Sequence, residues 1–292
     1  MTSDQLSSLY AQASACAERF TLPLRSQVWR GMAGEFQGAG TGSSIDFQDH
    51  RAYMPGDDPR HINWQAYART GSYSMKLYRE EVRPVIDIIL DASQSMFFDP
   101  LKANRTAELF YFTTISAMQA GASTLIHVLR GDAHTVIPLD AVSSHHWMDT
   151  VQAMQPDNMD APLALHQIQF RNNAIRVLIS DLLFEGDPTH SLRLLNSHQG
   201  KPIILAPFLK SESNPAWQGN YEFVDVEAGG NHPHRIEKST LSRYCKAYAN
   251  HFSQWHTAAR RFNAPLARVC SELPLLDALS DEAVQSGALC IS

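Results

Sequence analysis

An α/β fold, with a mostly parallel sheet covered by helices on both faces, is what this chain of 292 residues predicts. Three observations carry that expectation. Short apolar runs rich in β-branched residues recur at 85–90, 175–180 and 202–209, the pattern of strands buried on both sides. Helical stretches lie between these runs, which places the strands in parallel. The longest stretch, 240–262, sets Leu241, Tyr244, Cys245, Tyr248, Phe252, Trp255, Ala259 and Phe262 at steps of three and four, forming one apolar stripe.

Taken in order, residues 4–20 read as a helix, with Leu6, Leu9, Tyr10, Ala13 and Ala17 on one side. Residues 30–80 are rich in Gly, Asp, Arg and aromatics and have little helical period. Short strands and turns are expected there, with Pro55-Gly56-Asp57-Asp58 as a turn. The run Val85-Ile86-Asp87-Ile88-Ile89-Leu90 opens the sheet, and a helix over 102–120 follows it. A strand at 124–129 and its hairpin partner at 135–139 flank the turn Gly131-Asp132. Helices are expected near 144–154, 161–170, 188–197 and 275–286, a further strand at 266–270, and a strand near a sheet edge at 221–226. The domain reading is an N-terminal helical extension (1–24), a strand- and turn-rich module (25–82) and the α/β domain with C-terminal helices (83–292).

Composition narrows the function. Apolar residues make up 44% of the chain, enough for a sizeable core. The net charge of −6 argues against a nucleic-acid partner, which needs a basic face. The four cysteines (Cys16, Cys245, Cys270, Cys290) share no C-x-x-C spacing and read as reduced thiols of a cytoplasmic protein. Residues 1–24 lack a basic start followed by an apolar run, so no secretory signal is expected. No apolar stretch approaches the roughly 20 residues of a membrane span, so no direct membrane insertion is expected.

The chemistry concentrates at Asp91-Ala92-Ser93-Gln94-Ser95, directly after the first core strand. Ligands of open α/β sheets bind beyond the carboxyl ends of the strands, where strand order reverses. Asp91, Ser93 and Ser95 are short oxygen donors of the kind that suit a hard cation such as Mg²⁺ or Mn²⁺. Asp181 holds the corresponding place after 175–180. Helix capping accounts for the same residue types, so both readings stay open. No catalytic residue is assigned.

The Asp91-x-Ser93-x-Ser95 loop with Ser180-Asp181 resembles the metal-ion-dependent adhesion site of von Willebrand factor A domains, which implies a Rossmann-like core. The upstream residues Phe47, Arg51, Tyr53, Pro55-Gly56-Asp57-Asp58, Arg60, Ile62-Asn63-Trp64 and Ala68-Arg69 resemble the signature of a bacterial family, domain of unknown function fifty-eight. Lys76, Glu80-Glu81 and Phe223-Val224-Asp225-Val226-Glu227 fit it too. The resemblance covers roughly residues 25–280. It implies an adaptor or co-chaperone partnered with a MoxR-type AAA+ ATPase. It also implies a site in which two serines and a threonine hold the metal directly, the aspartates hold it through water and a partner carboxylate completes the shell. Met159 stands where that threonine is expected, and a thioether is a soft ligand, poor for Mg²⁺. Asp157, Asn158 and Asp160 are the hard donors at hand.

Other candidates weigh less. Arg51, Asp57, Asp58, Arg60 and Arg69 beside Tyr53 and Trp64 suit a structural network better than a partner surface. The Gly38–Gly42 stretch superficially resembles a phosphate loop, but no apolar strand precedes it and no Gly-Lys-Ser/Thr follows, so no nucleotide is expected. The 13 histidines contain no H-E-x-x-H and read as surface residues. The expected function is a non-enzymatic protein-binding module. The alternatives are a metal-dependent phosphohydrolase using Asp91 and a metal-free scaffold.

Overall fold

A computed structural model describes residues 1–24, 45–80, 83–159, 161–224 and 231–292. The readings at 38–42, Glu81, Asp160, Asp225 and Glu227 lie outside them. The chain divides into two compact units: Met1–Gln27 with Pro84–Ser292, and Val28–Arg83.

The larger unit is built on a six-stranded sheet. Its strands are β1 (Val85–Asp91), β2 (Ser123–Arg130), β3 (Ala133–Ile137), β4 (Ile175–Ile179), β5 (Lys201–Phe208) and β6 (Leu266–Cys270). Their spatial order is β6-β5-β4-β1-β2-β3. All neighbours are parallel except the β2–β3 hairpin at the edge. The chain leaves β1 for β2 on one side and later returns to place β4 on the other. The reversal of strand order therefore falls between β1 and β4.

Alternation along each strand divides the core in two. Ile86, Ile88, Leu90, Val177, Ile179 and Leu205 pack with helices α1 (Ser3–Ala17) and α2 (Pro100–Gln119). Ile89, Leu129, Leu178 and Ile204 face the opposite layer, which includes α3 (Pro188–Leu195) and α4 (Lys238–Arg261). Both faces are thus covered, which explains why the strands read as continuous apolar runs. Fifteen of the twenty residues of α2 are buried. Its interior threonines avoid orphaned hydroxyls by donating one turn back, Thr113 to Leu109 O and Thr114 to Phe110 O.

At the amino edge, Asp87 is fully buried within β1. Arg171 Nε donates to its carboxylate at 2.7 Å, and Arg176 Nε lies 3.9 Å away. Arg176 also donates to Leu195 O at 2.7 Å and to Arg171 O at 3.0 Å, and its guanidinium stacks on Phe170.

Three expectations are corrected. The stretch 161–170 holds only a 3₁₀ turn, Leu165–Gln167. Its buried residues are held by tertiary contacts, and the Gln167 amide donates to Asp132 O. Residues 219–224 do not join the main sheet. Gly219–Val224 pairs with Asn231–Ile236 in a separate antiparallel hairpin. The final helix expected near 275–286 is present, with a π-helical turn, Leu279–Ala283, inside it. The smaller unit pairs Ile45–Ala52 with Ser74–Glu80 but also contains an unforeseen helix, Trp64–Thr70. Asn63 caps that helix by accepting from Ala66 N, and Gly71 closes it in the left-handed conformation at φ +67°.

Candidate functional site

The switch point places Asp91 and Ser180-Asp181 on adjacent strands, because Leu90 is in register with Ile179. Asp91 is 1% exposed. Its carboxylate accepts from Ser180 Oγ at 2.6 Å and from Ser93 N at 2.9 Å. Burial, then repulsion from Asp181, pushes its pKa up to about 7, against the pull of the Ser180 and Ser93 hydrogen bonds. Ser93 occupies the N-cap of the short helix Gln94–Phe97 but makes no side-chain cap bond. Its hydroxyl instead lies 3.1 Å from Ser95 Oγ.

Asp181 is 3% exposed and bonded on several sides. Its carboxylate accepts from Leu183 N at 3.0 Å and from Lys102 Nζ at 2.7 Å. Between them, Leu182 adopts a left-handed backbone at φ +62°, rare for a leucine. That turn is pinned by Leu182 N donating to Ser180 Oγ and by His251 Nε2 donating to Leu182 O. Lys102 Nζ also donates to Glu212 Oε1 at 2.7 Å. Glu212 is held in turn by Leu209 N on its other carboxylate oxygen, and Tyr244 OH donates to its carbonyl. Burial works to lower the Lys102 pKa. Attraction to Asp181 and Glu212 outweighs it, and the net shift is upward, so the ammonium stays charged.

Lys102 and Glu212 were absent from the sequence reading. One signal was available: a lysine one turn into a helix that is otherwise mostly apolar, after Asp99-Pro100. Buried lysines are rare unless paired.

The donor set was tested against a divalent ion. The Ser93–Ser95 spacing suits neighbouring ligands of an octahedral ion, whose oxygens lie about 3 Å apart for bonds of 2.0–2.1 Å. The remainder does not fit. Asp181 is engaged by Lys102. The loop 156–159 packs against the β2–β3 turn, where Asn158 N donates to Asp132 Oδ1 and Asp132 N donates to Asn158 O. Met159 brings no hard donor. Among the described residues, no group of three or more His, Cys, Asp and Glu is placed to hold a metal.

Around this edge the surface is apolar. Phe98 is 68% exposed, Leu101 49% and Leu183 40%. A cleft of about 340 Å³ opens beside Ser93, with Phe97, Phe98, Arg130 and Met148 among its walls. Arg130 fixes one wall by donating to Val151 O and Met154 O.

The residues of the upstream signature lie in the smaller unit. Arg51 pairs bidentately with Asp57 at 2.6 and 2.7 Å. Arg60 pairs with Asp58 at 2.7 Å. Asp57 also accepts from Met54 N, and together Arg51 and this amide hold its carboxyl below the usual range. Pro55-Gly56 makes the turn, with Gly56 at φ +107°. Tyr73 stacks on Tyr67 and meets Trp64 edge-on, and Tyr53 lies beside it. Trp64 itself is exposed, and Arg69 sits in the last turn of the helix.

A family model described as "Protein of unknown function DUF58" matches residues 49–254. No curated protein matches the chain. Similar solved structures include a conserved hypothetical protein, BatB, from Bacteroides thetaiotaomicron, at 12% identity and a TM-score of 0.36, with 70% of this chain and 98% of that one covered. Another is an aerotolerance-related membrane protein from Bacteroides fragilis NCTC 9343 carrying multiple mutations to serines. It shows 15% identity and a TM-score of 0.31, covering 62% of this chain and 98% of that one. No helix among the described residues is long and apolar enough to cross a membrane.

Proposed function

The chain belongs to the DUF58 family, a family of unknown function, and from that premise we propose that it is a non-enzymatic protein-binding module that docks a partner at the carboxyl edge of its sheet. The edge acts as a degenerate form of the adhesion site of von Willebrand factor A domains. The partner is a MoxR-type AAA+ ATPase, for which the chain serves as adaptor or co-chaperone. One observation carries the docking reading. Paired serine hydroxyls lie in the loop after Asp91, and the segments that follow β1 and β4 leave Phe98, Leu101 and Leu183, large apolar side chains, in solvent. Exposed apolar clusters rimmed by polar groups are typical of protein interaction sites.

The phosphohydrolase alternative has less support. Its usual second carboxylate, two residues after the nucleophile, is Ser93 here. Asp91 is buried and its pKa is raised, which disfavours the ionised nucleophile, and the nearby ammonium of Lys102 serves Asp181 and Glu212 instead.

Surface-plasmon measurements with a MoxR-type ATPase test the proposal. Asp91→Asn and the pair Phe98→Ser with Leu183→Ser are expected to weaken binding tenfold or more, about 1.4 kcal/mol, with melting temperatures close to wild type. Unchanged affinity in folded variants would discard the docking reading. Phosphatase turnover with Mg²⁺ that vanishes in Asp91→Asn would replace it with the enzyme.

A further inference from the structure

We infer that Lys102 is the resident cation of this edge: its ammonium takes the place of a divalent metal, so that the edge is assembled without one. The geometry points to this in three steps. Nζ lies 2.7 Å from Asp181 Oδ2 and 2.7 Å from Glu212 Oε1, so one ammonium bridges the loops that follow β4 and β5. Its side chain is 2% exposed, so it is no mobile surface lysine. Its backbone is fixed at the start of α2, where Asp99 accepts from Leu101 N and Lys102 N and Pro100 sets the first turn.

A metal served by the same carboxylate would lie close to this charge. Even an ion held by Asp181 through a water, about 4 Å from the carboxylate oxygen, would lie within roughly 7 Å of Nζ, beside buried groups where two cations repel more strongly than in water. The place expected for a third hydroxyl ligand is Met159, a residue that serves hard cations poorly. Both departures act in the same direction. One places a fixed positive charge where the ion's charge is needed, and the other withdraws a ligand that only the ion would need.

The charge arithmetic has a consequence for the partner. Asp181 and Glu212 share one ammonium, while Asp91 is held by the Ser180 hydroxyl and the Ser93 amide. In a metal-dependent site the ion recruits a carboxylate from the partner. Here no open coordination position is on offer, so docking does not depend on a partner carboxylate bound through metal. This last step rests on the docking reading above, whereas the metal-free assembly of the edge does not.

The test uses full-length protein freed of metal by chelation. Mn²⁺ binding is followed by the ion's electron paramagnetic resonance signal, and thermal unfolding is recorded with and without Mn²⁺. Wild type is expected to show no saturable binding at millimolar Mn²⁺ and no shift in Tm. Lys102→Ala leaves the buried Asp181 and the partly buried Glu212 without their shared cation, and its Tm should drop by about 10 °C. Mn²⁺ should restore part of that loss, and the restoration should disappear in Lys102→Ala/Asp181→Asn. One saturable Mn²⁺ site in wild type that is lost in Ser95→Ala overturns the inference, and this measurement stands even if Lys102→Ala does not fold. A folded Lys102→Ala that gains nothing from Mn²⁺ overturns it as well. ATPase binding that persists in chelator supports the metal-free edge, and binding that requires added metal overturns it. ATPase binding absent in every buffer discards the docking reading and leaves the Mn²⁺ result as it is.

Discussion

Strand β1 carries two buried aspartates four residues apart, and they live under opposite electrostatic regimes. Asp87, at the amino edge, has arginines on two sides, Arg171 at 2.7 Å and Arg176 at 3.9 Å. Asp91, at the carboxyl edge, has among the described residues only neutral donors, the Ser180 hydroxyl and the Ser93 amide, and Asp181 repels it. Both are as deeply buried as any residue in the sheet. The difference separates what holds the fold from what the fold holds ready. A carboxylate locked between guanidinium groups serves assembly. A carboxylate left without its own cation, beside a second acid whose lysine is already shared with Glu212, has a perturbed pKa of the kind that gathers at functional sites.

Removing each carboxylate tests the comparison most severely. Asp87→Ala strands Arg176, whose pKa burial already depresses to about 10 despite the opposing pull of Asp87. Breaking a buried pair from one side costs about 3–5 kcal/mol. Urea unfolding should show that loss, whereas Asp91→Asn, which keeps an acceptor for Ser93 N and turns an amide donor toward Ser180 Oγ, should unfold near the wild-type midpoint. Equal losses at the two positions would erase the distinction.

A smaller effect probes the amino edge without touching a charge. Gly200 precedes β5 with an ordinary backbone, φ −66°. Its role is spatial, because a Cβ there would come within 2.4 Å of the Arg176 guanidinium. That group is pinned by Leu195 O and Arg171 O and stacked on Phe170. Gly200→Ala should therefore cost about 1–3 kcal/mol, the usual range for overpacking. A neutral result would mean that the arginine network yields easily and that Asp87 is less tightly held than its geometry indicates.

The two edges also differ in how far the sequence revealed them. The apolar runs gave β1, β4 and β5, and an aspartate following two of those runs was enough to place Asp91 and Asp181 at one crevice. Those are local signals, an apolar run and the residue after it. The cations were not legible. Lys102 meets partners 79 and 110 residues away, and Arg171 reaches Asp87 across 84. No periodicity records such pairings, since an ion pair leaves no pattern in the intervening chain. The helix expected at 161–170 failed for a related reason. Leu163, Ala164, Leu165 and Ile168 are buried, but tertiary contacts rather than a helical stripe bury them. The Trp64–Thr70 helix could have been anticipated from Asn63 and Gly71, its two caps.

The least costly test lies between the two edges, at His127 on β2, which is in register with Ile89. Its Nδ1 lies 3.0 Å from His134 Nε2 on β3. Burial, then His134, then the charge of Arg171 push its pKa down to about 4. The amino-edge network thus acts on a titratable group that it does not touch. An unfolded histidine takes up its proton near pH 6.5 and the folded one only near 4, so between those values the unfolded chain binds more protons. The stability is therefore complete above pH 6.5 and is lost as pH falls toward about 4. In His127→Gln, which cannot titrate, the urea midpoint should fall less steeply across that window than in wild type. Arg171→Gln should move the titration of His127, followed by its imidazole resonances, upward by a smaller amount than removal of burial would, since Arg171 is the least of the three causes. If the His127 titration is unmoved by Arg171→Gln, the reach of the amino-edge charges ends at Asp87, and the contrast between the two aspartates is purely one of contact.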